Sequence, residues 1–160
     1  MRPDDERIPD SFEIARKMGL SYSFGIANLT SAHPNSVVLE VKGKSGRTLE
    51  VQACSLGGGR IMINRLDGLD VNCSCEIPTL IVHNLDQPGH VAEVTSMLAH
   101  KSVNIANMSL YRDKRGGSAV MVVEMDQPLP KESLEWLEHR EGIVKVTYIN
   151  VTEGEEDDVL

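Results

Sequence analysis

The hydrophobic pattern of this chain changes at Pro78, and that change constrains the fold more than any other feature. Before Pro78, apolar residues mostly alternate with polar ones, which is the period of a half-buried strand. After it, the order becomes strand, helix, strand, strand, helix, strand. Helices connected in this way bury their apolar faces against one sheet. We therefore expect two domains, 1–76 and 77–152, followed by an acidic tail at 153–160.

The second half predicts an α+β fold class with a ferredoxin-like βαββαβ arrangement. The predicted elements are a strand at 79–82, a helix whose apolar face carries Val91, Val94 and Leu98, strands at 104–111 and 119–125 joined by a turn at Gly116 and Gly117, a helix containing Leu134 and Leu137, and a strand from 143 to about 151. Gly142 is expected to end the second helix. The run of like charges in the tail should remain solvated.

The first half predicts a small mixed α/β domain, in which most of the chain is extended. The predicted elements are a helix that carries Ile14, Ala15 and Met18 and ends at Gly19, a strand with Tyr22, Phe24 and Ile26, a hairpin of strands at 37–41 and 49–53, a strand with Ile61 and Ile63, a turn at Asp67 and Gly68, and an extended piece that ends near Cys73.

Composition and charge exclude several classes of function. The chain has 16 Lys and Arg residues against 24 Asp and Glu residues, so its formal net charge is -8 at pH 7. Since this balance offers no basic footprint for phosphates, we expect neither a nucleic-acid nor a membrane partner. The apolar runs are much shorter than the ~18 to 20 residues of a membrane helix. A charged N-terminal segment and an odd number of cysteines, 3, predict a protein of the reducing cytoplasm.

The loop at 86–89 is the most informative stretch for function. Gly89 would let a ligand approach the backbone closely, and the helix N-terminus offers unpaired N–H groups that suit a carboxylate. Asn84 and Asp86 could receive the ammonium group of the same ligand, and we expect Asn104 on the neighbouring strand to lie close enough to contribute. The alternative is that Asp86 only caps the helix and Gly89 only forms the turn.

Two groups of residues in the first half are weaker candidates for binding. His33 and Asn35 could offer polar contacts, but loop histidines are commonly solvated and Pro-Asn is ordinary turn chemistry. Ser55 and the glycines at 57–59 could present backbone N–H groups to a carboxylate, although a tight turn or a β-bulge explains the same glycines.

The cysteines raise the question of a metal site. Cys73 and Cys75 have a spacing found in such sites, but a closed zinc or iron-sulfur site needs four ligands, and Cys54 with His83 is only a speculative completion. Reduced structural thiols are the favoured interpretation of the pair, and a thiol-based metal sensor is a minor alternative. We therefore expect no metal in this chain. No Ser-His-Asp order, H-E-x-x-H pair or C-x-x-C motif occurs.

The stretch from Pro78 to Val151 carries several segments of one known domain family. They are Leu80-Ile81-Val82-His83-Asn84-Leu85-Asp86-Gln87-Pro88-Gly89, Val103-Asn104-Ile105 and Val144-Lys145-Val146. Together they resemble an ACT domain, a small regulatory module that binds amino acids, often between two copies of itself. The resemblance implies a homodimer and a pocket for L-serine or another amino acid. The pocket residues would be Asn84, Asp86, Gly89, Asn104 and Ile105.

Three patterns in the first half indicate a narrower family. They are Arg7-Ile8-Pro9-Asp10-Ser11, Ala32-His33-Pro34-Asn35-Ser36 and Cys54-Ser55-Leu56-Gly57-Gly58-Gly59-Arg60. With the ACT-like half, they resemble the beta subunit of the bacterial iron-sulfur-dependent L-serine dehydratase, which converts L-serine to pyruvate and ammonia. The resemblance implies a separate alpha chain that holds a [4Fe-4S] cluster, with none in this chain. The residues that meet L-serine and that partner would be His33, Asn35, Ser55, Gly57, Gly58 and Gly59.

The first half is also similar to the substrate-binding regulatory domain of one class of phosphoglycerate dehydrogenase. Two motifs of the dehydratase beta chains, S-S-S-H-T-x-G and a G-H-G-T-D-like segment, do not occur here. The resemblance therefore implies a chain that begins inside the family's first domain.

We expect a regulatory or accessory beta subunit, or a fragment of one, that is inactive alone and serves allosteric regulation in gluconeogenesis. The alternative is a stand-alone amino-acid-binding ACT module without catalysis.

Overall fold

A computed structural model describes residues 5–29 and 32–150. These residues divide into two compact units, one up to Ala32 and one from His33 onwards. The first unit contains a short 3-10 turn, Ile8–Asp10, that leads into helix α1, Ser11–Lys17. The helix ends before Gly19, whose φ of 80° is the left-handed conformation of a helix C-terminus. This helix confirms the prediction around Ile14.

The predicted strand through Tyr22, Phe24 and Ile26 is wrong, because residues 20–29 contain no strand. Three aromatic rings pack on one another instead. The ring centroid of Phe12 lies 5.3 Å from that of Tyr22 and 5.5 Å from that of Phe24. A strand needs a hydrogen-bonded neighbour as well as a period of two. The alternation here places aromatic side chains beside helix α1 without forming a ladder.

The second unit begins with an antiparallel sheet of four strands in sequential order. Its strands are β1, Ser36–Lys42, β2, Thr48–Gly57, β3, Arg60–Leu66, and β4, Leu69–Cys73. Val37 lies opposite Ala53 and Val41 opposite Leu49, which confirms the predicted hairpin. Gly58 and Gly59 both have positive φ, as the two central residues of a type I′ hairpin turn require.

A second sheet of four strands follows, in the spatial order β6, β7, β5, β8. Its elements are β5, Thr79–Leu85, α2, His90–His100, β6, Ile105–Arg112, β7, Ser118–Met125, α3, Lys131–Glu138, and β8, Ile143–Ile149. All pairings are antiparallel, which confirms the ferredoxin-like βαββαβ prediction and the α+β class. The predicted end of the last strand at Val151 and the tail at 153–160 lie outside the described residues.

The second sheet is covered on both faces. Alternate residues of its central strands contact either the helices or the first sheet. The side facing the helices carries Leu80, Val82, Met121, Val123 and Met125, together with Val94, Leu98 and Leu137 of the helices. The side facing the first sheet carries Ile81, Val120 and Val122, which pack with Ile63, Leu66, Val71, Cys73 and Cys75. Burial on both faces explains the apolar runs 80–82 in β5 and 119–123 in β7, which do not alternate with polar residues.

Polar side chains connect the two sheets at the edge formed by β8. The ammonium group of Lys145 donates to the backbone oxygen of Thr48 at 2.8 Å. The guanidinium group of Arg47 donates to the backbone oxygen of Val146. Each cation thus satisfies a backbone oxygen of the opposite sheet. The apolar contacts hold the two layers together, and these directional bonds fix their registration.

Asp67 and His83 complete the same polar junction. Lys145 donates to the Oδ2 atom of Asp67 at 2.5 Å, and the Nε2 atom of His83 lies 3.5 Å from that oxygen. Burial lowers the pKa of His83, although Asp67 attracts its charged form. Partial burial acts to raise the pKa of Asp67, but hydrogen bonds from Lys145 and from the Glu50 N–H outweigh it and leave that pKa below its ordinary value. Asp67 is therefore a carboxylate at neutral pH.

The apolar face of α2 differs from the predicted one at its first turn. Val91 is 41% exposed, whereas His90 is buried together with Val94 and Leu98. A helical wheel that counts only apolar residues selects Val91, because it leaves out His90, whose aromatic ring is buried here. His90 packs against Gly142, the residue before β8. Among the described residues, no helix is long and apolar enough to cross a membrane.

Gly142 should be the least replaceable of the turn glycines. Its φ is 79°, and a Cβ atom there would lie 2.5 Å from the Nε2 atom of buried His90. Gly46 is a matched control, since its φ is 85° but a Cβ atom would meet nothing within 4 Å. Gly46→Ala should lower the free energy of unfolding by about 1 kcal/mol through backbone strain alone. Gly142→Ala should lower it by roughly 2 to 4 kcal/mol because steric overlap is added.

Urea denaturation of the two variants and the unchanged chain measures this difference. Equal losses for Gly142→Ala and Gly46→Ala would show that the His90 ring does not occupy the space above Gly142.

Candidate functional site

The loop between β5 and α2 is the centre of the candidate site. Gly89 adopts φ 108°, and its carbonyl oxygen accepts the first helical hydrogen bond, from the Glu93 N–H at 2.9 Å. Within the described residues, no side chain caps this end of α2. The alternative that Asp86 serves as the helix cap is therefore wrong. The first-turn N–H groups of α2 remain available to an anionic group.

Asp86 is anchored to the hairpin between β6 and β7 instead. Its Oδ2 atom accepts hydrogen bonds from the Gly116 N–H at 2.9 Å and from the Arg112 guanidinium at 3.1 Å. The Asp86 N–H donates to the carbonyl oxygen of Gly117 at 2.8 Å. The Gly116 N–H and then Arg112 keep the pKa of Asp86 below its ordinary value. The loop thus presents a carboxylate that is charged at neutral pH.

Two buried polar side chains lie on either side of this loop. Asn84 is 4% exposed, and its Nδ2 atom donates to the Leu85 oxygen at 2.6 Å, but its Oδ1 atom has no hydrogen-bond partner in the described part of the chain. His90 is also buried, and neither ring nitrogen has a hydrogen-bond partner there, although Nδ1 lies 3.5 Å from a carboxylate oxygen of Glu93. Such groups are costly to bury unpaired. Asn84 Oδ1 is an acceptor that an incoming ammonium group could use.

Asn104 and Ile105 lie at the opposite end of the same sheet. Residue 119 of β7 pairs with both Asn84 and Arg112, whereas Ile105 pairs with Met125. Six steps along an antiparallel strand separate these positions by roughly 20 Å. The Asn104 side chain donates to Asp126 at 2.6 Å. The expectation that Asn104 lies close to the loop within one chain is therefore wrong, because helix α2 returns the chain to the far end of the sheet before β6 begins.

The candidate residues of the first half do come together. The Nδ1 atom of His33 accepts from the Asn35 N–H at 3.2 Å, and the carbonyl oxygen of Asn35 accepts from the Ser55 N–H at 2.9 Å. The segment before β1 therefore lies beside the end of β2. Gly57 follows, with its N–H 3.4 Å from Ser55 Oγ, and Gly58 and Gly59 form the adjoining turn. A role of this group in binding stays a prediction.

The cysteines do not assemble with the histidine suggested by the sequence. Cys73 and Cys75 lie side by side, with 3.1 Å between their sulfur atoms, and all three cysteines are free and buried. His83 contacts Asp67 instead. In residues 5–29 and 32–150, no group of three or more His, Cys, Asp or Glu side chains is placed to hold a metal ion.

Sequence reasoning missed three contributors to the loop site. Arg112 and Gly116 orient Asp86 from a hairpin 26 and 30 residues further along the chain, a contact that local patterns do not reveal. His90 could have been noticed, because a histidine directly after the helix-starting Gly89 occupies the first helical position.

Comparison with known proteins identifies one domain family and several relatives. A family model for the ACT domain matches residues 78–138. A probable L-serine dehydratase beta chain of Bacillus subtilis is 32% identical over 145 residues, 91% of this chain. The L-serine dehydratase beta chain of Peptoniphilus asaccharolyticus is 34% identical over 128 residues, 79% of this chain. This chain is similar to L-serine dehydratase beta chains over most of its length and contains an ACT domain.

The resemblance to that family is thereby confirmed. The chain spans 66% of the length of the Bacillus relative and 58% of the Peptoniphilus relative. D-3-phosphoglycerate dehydrogenase of Methanocaldococcus jannaschii is also similar, at 31% identity over 90 residues, which are 56% of this chain and 17% of that protein. The ACT match spans β5 to α3, so it contains the loop with Asn84, Asp86 and Gly89.

The Asn84 side chain should not stabilise the folded chain. In Asn84→Leu, an unpaired buried oxygen is removed, and the Leu85 oxygen keeps its bond from the Gln87 N–H at 2.8 Å. The free energy of unfolding should stay unchanged or rise by up to about 1 kcal/mol. Asn104→Leu is the control, because the Asn104 side chain is bonded to Asp126. That control should lose about 1 kcal/mol.

Urea unfolding of both variants provides the comparison. A loss in Asn84→Leu that equals or exceeds the loss in Asn104→Leu would mean that the Asn84 amide is fully satisfied in the folded protein.

Proposed function

We propose that this chain is the beta, regulatory subunit of an L-serine dehydratase, and that its ACT domain binds L-serine or another amino acid. The relatives' names support the subunit role, and the loop after β5 supports the binding role. The observation that carries the proposal is the combination of a charged Asp86, an unpaired buried Asn84 oxygen and an uncapped helix N-terminus in the described loop.

A free amino acid has the complementary chemistry. Its carboxylate would accept from the first-turn N–H groups of α2, where the helix dipole favours negative charge. Its ammonium group would donate to the Oδ1 atom of Asn84 and share the carboxylate of Asp86 with Arg112. Gly89 has no side chain that could block the ligand's path, and its positive φ favours glycine at this position. Both ligand charges are thus met by groups of opposite polarity.

The distance to Asn104 supports a site that is shared between two copies of the chain. β6 is an edge strand, with one side of its backbone unpaired among the described residues. If two such strands pair antiparallel around a two-fold axis, the start of each lies beside the end of the other. Asn104 and Ile105 of the partner subunit would then approach Arg112 and Asp86. We propose this homodimer as the complete effector site.

Catalysis is assigned to a complex with an alpha chain. In this proposal the alpha chain holds a [4Fe-4S] cluster, and this chain holds none. When bound, the cluster supplies Lewis-acid assistance for loss of the serine hydroxyl group. His33, Asn35, Ser55 and the glycines at 57–59 would contact L-serine and the alpha chain, since hydrogen bonds already join the first three residues. The beta chain alone is proposed to be inactive.

A cytoplasmic setting without nucleic-acid or membrane partners belongs to the same proposal. The three free cysteines and the net charge of -8 support it.

A second candidate function is a stand-alone amino-acid-binding module. It is favoured by the loop site, because none of the residues proposed there to bind the amino acid belongs to the group around His33.

Calorimetric titration of the full chain with L-serine tests the binding role. D-serine, glycine and other L-amino acids serve as ligand controls under reducing conditions. We expect saturable binding that prefers the L form, because three oriented groups contact the ligand. Asp86→Asn should weaken binding by ~10-fold or more, because one charged contact to the ligand is lost. Asp70→Asn is the matched control, since the Asp70 side chain is 96% exposed on β4.

Equal affinities for Asp86→Asn and Asp70→Asn would contradict the loop site.

Anaerobic assay of pyruvate formation with a cluster-loaded alpha chain tests the subunit role. Activity that requires both chains supports the dehydratase. Inactivity of a verified complex, together with selective amino-acid binding, would favour the stand-alone module.

A further inference from the structure

Cys73 and Cys75 form a buried pair of thiols outside the loop site. Cys73 is the last residue of β4, and Cys75 lies in the connection that leads from the first sheet to the second. Their side chains are 2% and 7% exposed, and their sulfur atoms are 3.1 Å apart. Neither residue has a part in the function proposed above, so the pair requires its own explanation.

Backbone geometry brings the two sulfur atoms together. In a regular strand, residues i and i+2 lie on one face but roughly 6.5 Å apart. Cys75 instead adopts φ 53°, a left-handed conformation that is rare for a residue with a Cβ atom. Such a conformation persists only where the surrounding structure enforces it, and it clusters at functional sites. Here its consequence is direct contact between two thiols.

A carboxylate is held beside the pair. The Oε1 atom of Glu124 lies 3.9 Å from the sulfur of Cys73 and accepts from the Ser74 hydroxyl at 3.2 Å. Its Oε2 atom accepts from the Asn107 amide at 2.9 Å. The hydrogen bond between the thiols lowers the pKa of Cys73 and, with burial, raises the pKa of Cys75. Of the two thiols, Cys73 is the one whose proton Glu124 can reach, so we assign Cys73 as the thiol that reacts first.

The separation of the sulfur atoms favours a disulfide over a metal site. A disulfide bond is about 2.05 Å long, so the sulfur atoms need to approach by only about 1 Å. Two thiolates on tetrahedral zinc, each about 2.3 Å from the ion, lie roughly 3.8 Å apart. The observed 3.1 Å is shorter than that, so metal binding would require the two sulfur atoms to separate.

We propose that Cys73 and Cys75 are a reversible oxidative modification site, at which hydrogen peroxide converts two thiols into an intrachain disulfide. The Cys73 thiolate attacks a peroxide oxygen, the O–O bond breaks, and the departing hydroxide leaves as water after taking a proton. The Cys75 sulfur then attacks the resulting sulfenic acid, the S–O bond breaks, and a second water leaves with the Cys75 proton. Two thiols lose two electrons, and one peroxide gains them.

Cys54 provides an internal control. It is 4% exposed, so it matches the pair in burial but has no neighbouring thiol. The full chain would be treated with hydrogen peroxide under native conditions and then unfolded for alkylation and peptide mass spectrometry. We expect the loss of two hydrogens on the peptide that contains Cys73 and Cys75, with Cys54 still alkylated. Treatment with a dithiol reductant should restore alkylation at both sites.

Two variants separate the roles of the thiols. In Cys75→Ser, the sulfenic acid at Cys73 should persist and react with dimedone, while Cys54→Ser should form the disulfide as the unchanged chain does. The proposal is overturned if Cys73 proceeds to sulfinic acid without a disulfide, if disulfides form between chains, or if the pair reacts no faster than Cys54. Retention of one zinc ion by the reduced pair, lost in Cys75→Ser, would assign it to metal binding instead.

Discussion

Strands β5 and β7 are buried on both faces, and the remaining structure of the second unit depends on that burial. Helices α2 and α3 cover one face, and the first sheet covers the other. Fully burying a side chain such as Leu80 or Val122 contributes about 1.5 to 3 kcal/mol. These two strands therefore form a rigid support. The loop after β5 and the hairpin before β7 extend from this support, which positions Asp86 against Gly116.

Sequence periodicity predicted those elements whose neighbours are close along the chain. The β1–β2 hairpin and the βαββαβ order follow from local alternation and from glycines in turns. The predicted strand at Tyr22 was wrong, because the alternation there reflects packing of aromatic rings rather than pairing with a neighbouring strand. Periodicity also placed Val91 in the core instead of His90, because His90 packs against Gly142, which lies 52 positions later in the chain.

The candidate site shows the same limit. The residue types at 84, 86 and 89 led to the proposal of an amino-acid pocket, because the loop is continuous in sequence. The orientation of Asp86 by Arg112 and the distance to Asn104 depend on strand order and register. Neither is encoded in local spacing. The distance between Asn104 and the loop leads to the proposal of a dimer, because a residue at the far end of an edge strand could reach the loop only across a two-fold axis.

The central claim is that two chains share each effector site. Its most direct test uses purified mixed dimers that contain one Asp86→Ala chain and one Asn104→Ala chain. Each variant alone should form dimers without an intact site. The mixed dimer should regain one intact site and bind L-serine, or the amino acid that the unchanged chain prefers, with half the normal stoichiometry. Mixed dimers that bind no better than either parent variant would contradict a shared site.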